Sequence, residues 1–160
     1  MRAKTNFLTQ SALIAALYVV LTYVSNIFGL ANGVIQVRVS EVLTVLPAFT
    51  PAAIPGLAVG CFTANLLTGA AIWDIVFGTL ATILGAFGTY CFGKKRYLAP
   101  VFPIMANTLI IPFVLKMAYG VERGYSFLFL TLFAGEFISC GILGVLLYGG
   151  IEKSNLFRRK

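Results

Sequence analysis

The hydrophobic positions of this chain neither alternate nor keep to one face; they come in blocks. Residues 12–23 and 76–92 stay apolar or small throughout. A membrane barrel needs segments of about 10 residues with strict in/out alternation, so the blocks predict helices. Turn and breaker residues separate them at Gly29 to Val37, Pro47 to Pro55, Thr68 to Ala71, Lys94 to Pro100 and Tyr119 to Gly124. The spans left between the breaks are about 6–28, 38–49, 52–68, 72–93, 101–119 and 125–151. The first outruns the apolar core of about 7–15 residues found in secretory signals and reads as a retained helix. The second is short and runs into "PAFTPAAIPG", with three prolines, which predicts a tilted or partial helix packed inside the bundle.

Composition places this pattern in a membrane. Apolar residues make up 59% of the chain and charged residues 11%, with a mean hydropathy of +0.94, far outside the range of a soluble domain. At about 20 residues per crossing of a ~30 Å hydrocarbon core, 160 residues supply six spans and no separate soluble domain. The expected fold is an all-α integral membrane protein, one transmembrane domain over 1–160 with six helices. That excludes a soluble catalytic or nucleotide-binding module. The net charge of +7 first suggests nucleic acid or an anionic surface, but the positions of the charges favour topology. With both termini cytoplasmic, Arg2, Lys4, Lys94, Lys95, Arg96, Lys153, Arg158, Arg159 and Lys160 fall inside, nine of the twelve Lys and Arg; Arg38, Lys116 and Arg123 fall outside. This is the positive-inside bias, and it removes the reason to invoke nucleic acid.

Three patterns have a plainer reading than chemistry. "GTYCFGKK", Gly88 to Lys95, comes within one residue of the phosphate-binding GxxxxGK[ST]. Lys95 stands where the hydroxyl for Mg²⁺ belongs, and the segment ends an apolar helix instead of following a strand. Cys61, Cys91 and Cys140 lie in apolar spans without CxxC spacing, and the chain has no histidine. They read as buried packing residues, and no metal or cofactor is expected. Gly56 with Gly60, and Ala12 with Ala16, have the small-xxx-small spacing that lets another helix approach closely.

The polar residues within the spans carry more information. A carboxylate at mid-bilayer costs at least ~2.5 kcal/mol on insertion scales and is kept where it faces a cavity or a partner. Glu136 lies about eleven residues into the last span, roughly 16 Å deep at 1.5 Å per residue, near the midplane. In the orientation derived above, Arg38 and Glu41 open the second span from outside, and Asn65 lies near the outer end of the third. Trp73 and Asp74 open the fourth, and Lys116 is near the outer end of the fifth. Asn107 and Glu136 lie deeper, as a floor. The expectation is a polar vestibule open to the exterior, a pocket for a small polar molecule rather than a catalytic centre. Each member also has a plainer role: Asp74 as a helix cap, Trp73 as an interfacial belt residue, Lys116 and Arg123 snorkelling to headgroups, Arg38 and Glu41 pairing with each other.

"VRVSEVLTVLPAFTPAAIPGLAVGCFTANLLTGAAIWDIVFGTLAT", with "LAPVFPIMANTLIIPFVL" and "GEFISCGILG", closely resembles the QueT family. Its members are substrate-binding S components of energy-coupling-factor (ECF) transporters for queuosine precursors, and the resemblance covers nearly the whole chain. It implies an S-component-like bundle in the bacterial cytoplasmic membrane, with 7-deazaguanine bases such as preQ0, preQ1 or queuine as ligands. It also implies an ECF module as partner, a transmembrane coupling subunit and two ATPases that carry out the ATP hydrolysis, with Ala12 and Ala16 facing the coupling helices. The guanine-like edge offers two parallel donors, which suit Glu41 or Glu136, and an acceptor that suits the amide of Asn65 or Asn107. Trp73 would stack on the base, and Asp74 or a second glutamate would pair with an aminomethyl group. Three rivals differ in class: an S component for another vitamin or nucleobase, a small intramembrane enzyme, for which no nucleophile and base pair is visible, and a purely structural subunit.

Overall fold

The computed structural model describes residues 2–30 and 36–154, and every described element is helical. Helix α1 spans Arg2–Ile27 and closes with Gly29 in the left-handed region (φ 67°) while the Leu30 amide bonds back to the Ser25 carbonyl at 2.9 Å. A 3₁₀ helix, Val39–Ala48, follows. Helices α2 (Ala53–Leu67), α3 (Ile72–Phe92) and α4 (Val101–Tyr119) come next. The last helix, α5, runs over Tyr125–Ser154, and its stretch Phe137–Leu143 is wound as a π-helix.

Four of these, α1, α3, α4 and α5, are long and apolar enough to cross a membrane. The second predicted span is indeed a short, partial helix, and the third is short as well. The 3₁₀ helix and α2 have 10 and 15 residues, which at about 2.0 and 1.5 Å per residue reach only ~20 and ~22 Å across a ~30 Å core. Polarity is arranged as a bilayer requires. Leu8, Ile27, Leu66, Ile72, Leu130 and many other large apolar side chains are exposed, while Ser25, Ser40, Thr44, Thr82, Thr89 and Thr108 are buried. The chain is a multi-pass membrane protein.

Close approach of backbones sets the packing. A Cβ on Gly56 would stand 2.8 Å from the Ser11 carbonyl oxygen, and one on Gly60 2.8 Å from the Tyr18 Cβ. The GxxxG pair is therefore spent inside the molecule, seating α2 on α1. Ser11 adds a hydrogen bond from its hydroxyl to the Ala52 carbonyl at 2.8 Å. Gly85 and Gly88 do for α3 and α4 what Gly56 and Gly60 do for α1 and α2, lying against Pro103 and Phe102.

The 3₁₀ helix is the buried centre of the bundle, with Ser40, Glu41, Leu43, Thr44, Val45, Leu46 and Pro47 all enclosed. A ten-residue 3₁₀ run is unusual, since its hydrogen bonds are poorer than α-helical ones. Here side chains supplement the backbone: the Glu41 carbonyl accepts from the Thr44 hydroxyl at 2.6 Å and from the Cys140 thiol at 3.4 Å. Cys140 belongs to the π stretch of α5, so the two irregular segments are bonded to each other.

Candidate functional site

At one edge of the bundle the ends of α1, α2 and α4 and the starts of the 3₁₀ helix and α3 enclose a cleft of about 700 Å³. Thr22, Asn26, Arg38, Asn65, Asp74 and Tyr119 supply its polar lining. The described basic residues Lys4, Lys94, Lys95, Arg96 and Lys153 belong to segments at the opposite edge.

Asp74 sits in the first turn of α3, where a negative charge is favoured by the helix dipole. It does not cap the helix; Ala71 holds the cap position, and no side-chain cap bond is made. Its Oδ2 instead faces the Arg38 guanidinium at 3.9 Å and accepts from the Tyr119 hydroxyl at 3.2 Å. Tyr119 in turn accepts the Ala71 backbone N–H at 3.1 Å. Arg38 thus pairs with Asp74 rather than with Glu41. On the α2 wall, the Asn65 amide makes only a weak contact to the Cys61 sulfur, at 3.5 Å.

Glu41, Asn107 and Glu136 do not line this cleft. Beneath it, the Thr22 hydroxyl donates to Ser40 at 2.9 Å, and one helical turn further along α1 the Tyr18 hydroxyl donates to Glu41 Oε1. Asn107 Nδ2 donates to Glu136 Oε1 at 3.0 Å and to Glu41 Oε2 at 3.4 Å, and Cys140 reaches Glu136 Oε2 at 3.2 Å. Glu41, Asn107 and Glu136 are 2%, 6% and 7% exposed, so the single vestibule expected from depth alone is two tiers, an open cleft above a closed knot. Glu41, Glu136 and Cys140 are also the only trio of metal-ligand residue types gathered among the described residues, with ligand atoms within 4.8 Å of one another. The fit to a cation is poor, because the Asn107 N–H₂ lies between the carboxylates, where a metal would have to stand. The reversed amide would aim its oxygen at two carboxylates, so the donor assignment follows from the network.

Trp73 is not part of the cleft. It is 52% exposed, stacks on Phe77 with ring centroids 6.0 Å apart, and borders an apolar groove with Leu80, Leu109, Phe113 and Met117. Neighbouring helical residues point about 100° apart, so Trp73 and Asp74 cannot both face the same space. The stacking expected of Trp73 is therefore not offered by this arrangement. Lys116 is exposed and outside the cleft. Cys91 is exposed, against the expectation of burial, while Cys61 and Cys140 are buried. Ala12 and Ala16 lie on an uncovered face of α1, beside exposed Leu13, Leu17 and Val20.

Sequence reasoning passed over Tyr18 and Tyr119. A signal for Tyr18 was present: Ser11, Tyr18, Thr22 and Ser25 form a polar stripe at helical spacing through an apolar helix. Tyr119, at a helix end, has the appearance of an ordinary interfacial aromatic.

No solved structure matches this chain. In sequence it is similar to the queuosine precursor transporter QueT of Lactococcus lactis subsp. cremoris (strain MG1363), 28% identical over 149 residues, covering 86% of this chain and 88% of that protein. The QueT transporter family matches residues 8–153. With the match running from the first turns of α1 to the end of α5, the chain belongs to the QueT transporter family.

Proposed function

We propose that this protein is the substrate-binding subunit, the S component, of an ATP-driven ECF importer, and that it captures a queuosine precursor of the 7-deazaguanine type from outside the cell. The observation that carries the reading is the polar cleft built from Arg38, Asn65, Asp74 and Tyr119 at one membrane edge. With both termini read as cytoplasmic, nine of the twelve Lys and Arg of the sequence fall inside, and in this reading the cleft edge faces the exterior. A volume of about 700 Å³ lies within the usual range for small-molecule sites. The relative's transported class, a queuosine precursor, agrees with a cleft whose lining is hydrogen-bonding. Glu41, Asn107 and Glu136 form the lower tier on the inward path of the base, beyond the Thr22–Ser40 contact.

A family of transporters argues against an enzyme, and energy has to come from partners. In this reading, two ATPases and a transmembrane coupling subunit supply it, and the face of α1 bearing Ala12 and Ala16 docks on that subunit. Small residues there let a partner helix approach closely. Delivery then requires the S component to reorient against its partner and turn the cleft inward. The test is uptake of a radiolabelled 7-deazaguanine base by cells lacking their own route. Accumulation is expected only when this chain and an ECF module are expressed together and ATP is present. Accumulation driven by this chain alone would contradict the assignment as an S component.

A further inference from the structure

One carboxylate oxygen in the cleft stands apart from those of the lower tier. All four carboxylate oxygens of the lower tier are engaged by protein donors, Glu41 by Tyr18 and Asn107, Glu136 by Asn107 and Cys140. Asp74 differs, because Arg38 and Tyr119 both address Oδ2, while Oδ1 is shielded from solvent and accepts no hydrogen bond. The residue is 5% exposed and lines the cleft. Buried acceptors in folded proteins are nearly always satisfied, and those left open ask for an explanation.

The surroundings of Oδ1 indicate what it awaits. The Tyr119 oxygen accepts the Ala71 N–H, so its own proton is directed to Asp74 Oδ2. Together with Arg38 this fixes the carboxylate with one oxygen occupied and the other presented. Beside Oδ1 stands the buried Gly78. A Cβ there would stand 3.5 Å from Asp74 Oδ1 and 3.2 Å from Asn65 Nδ2, so the bare glycine lets both polar groups lie close against α3. The acceptor is single, because the other oxygen is taken. The Arg38 charge offsets that of Asp74, so the pair has no excess attraction for a cation. A neutral N–H group fits these conditions better than an ammonium does.

We propose that Asp74 Oδ1 reads one N–H donor of an uncharged heterocycle, the exocyclic amino group of the base. Arg38 and Tyr119 are positioning residues that hold the carboxylate. This contact rests on the proposed function and deepens it.

The purified full-length protein is titrated with 7-deazaguanine and with its 2-deamino analogue, 7-deazahypoxanthine. A hydrogen bond to a charged acceptor predicts about tenfold or greater preference for the amino-bearing base. In Asp74→Asn the amide carbonyl takes the place of Oδ2, since Arg38 and Tyr119 both donate there. The NH₂ then stands where Oδ1 was, a donor facing a donor. The preference is expected to vanish through weaker binding of 7-deazaguanine, with the deamino base held within about threefold of the parent value. Tyr119→Phe keeps the ring and removes only the hydroxyl; it should narrow the same ratio, which a merely structural role would leave unchanged. Equal binding of both bases by the parent, or an undiminished preference in Asp74→Asn, overturns the proposal. Should Asp74→Asn not fold, an undiminished preference in Tyr119→Phe overturns it alone. If the parent binds neither base, the ligand class itself is wrong, an outcome distinct from equal binding.

Discussion

Asn107 is the residue on which the lower tier turns. One amide nitrogen joins two carboxylates from different elements, Glu41 of the 3₁₀ helix and Glu136 of α5. Removing one member of a buried, hydrogen-bonded charged network leaves the others uncompensated, at a typical cost of about 3–5 kcal/mol. Asn107→Leu, close in size, should therefore destabilise the protein by a few kcal/mol, read as a lowered thermal unfolding midpoint in detergent. A midpoint equal to the parent's would show that the carboxylates do not depend on this donor. The sequence made these residues legible as polar groups at a given depth, because position along a helix converts directly to distance at 1.5 Å per residue. Direction is a different quantity. Trp73 and Asp74 share a depth yet face different spaces, and Gly78, with no side chain to display, offered no signal of its place beside Asn65 and Asp74.

At the scale of the element, glycine spacing decides which helices touch. Gly60 admits α1 so closely that a Cβ would meet the Tyr18 Cβ at 2.8 Å and the Ala15 backbone at 3.1 Å. Gly60→Leu should force α2 off α1, with an overpacking cost of typically 1–3 kcal/mol or more. It should also displace Tyr18 from Glu41. The expected result is a lower unfolding midpoint and weaker ligand binding together, measured on one preparation by thermal denaturation and equilibrium titration. The long spans were readable because about 20 apolar residues have few alternatives to a membrane helix. The 3₁₀ segment was not, since its apolar pattern is compatible with an α-helix and only tertiary bonds distinguish the two, among them that from Cys140 to the Glu41 carbonyl. The π stretch of α5 is of the same kind. Such windings recur at functional positions, and this one lies between Glu136 and the second half of α5, with Cys140 as its bond to the centre.

For the whole molecule, polar groups gathered inside and apolar groups outside are what a bilayer solvent selects. One face of α1 is uncovered as well, and its small residues distinguish it from the bulkier surface of α3 and α4. The proposed docking of that face predicts a separation of effects. Ala12→Trp, on an exposed position of α1 nearly three turns before the cleft residue Thr22, should leave the unfolding midpoint and ligand affinity unchanged while abolishing ATP-dependent uptake with the ECF module. Uptake at the parent rate would remove this face from the coupling interface. The basic clusters carry the expected orientation, because the distribution of Lys and Arg along the chain is a one-dimensional property. The partition of the polar interior into an open cleft and a closed knot was not readable, because it depends on how each helix is rotated about its own axis. An apolar helix in lipid carries little in its sequence to fix that rotation.

In the proposed function, this chain by itself forms a binding site for a 7-deazaguanine base. Equilibrium binding of a radiolabelled base of this class to the isolated protein in detergent tests it most directly. Saturable binding at one base per chain is expected, weakened about tenfold or more by Asp74→Asn. Absence of saturable binding for every such base, by protein shown to be folded, would contradict it.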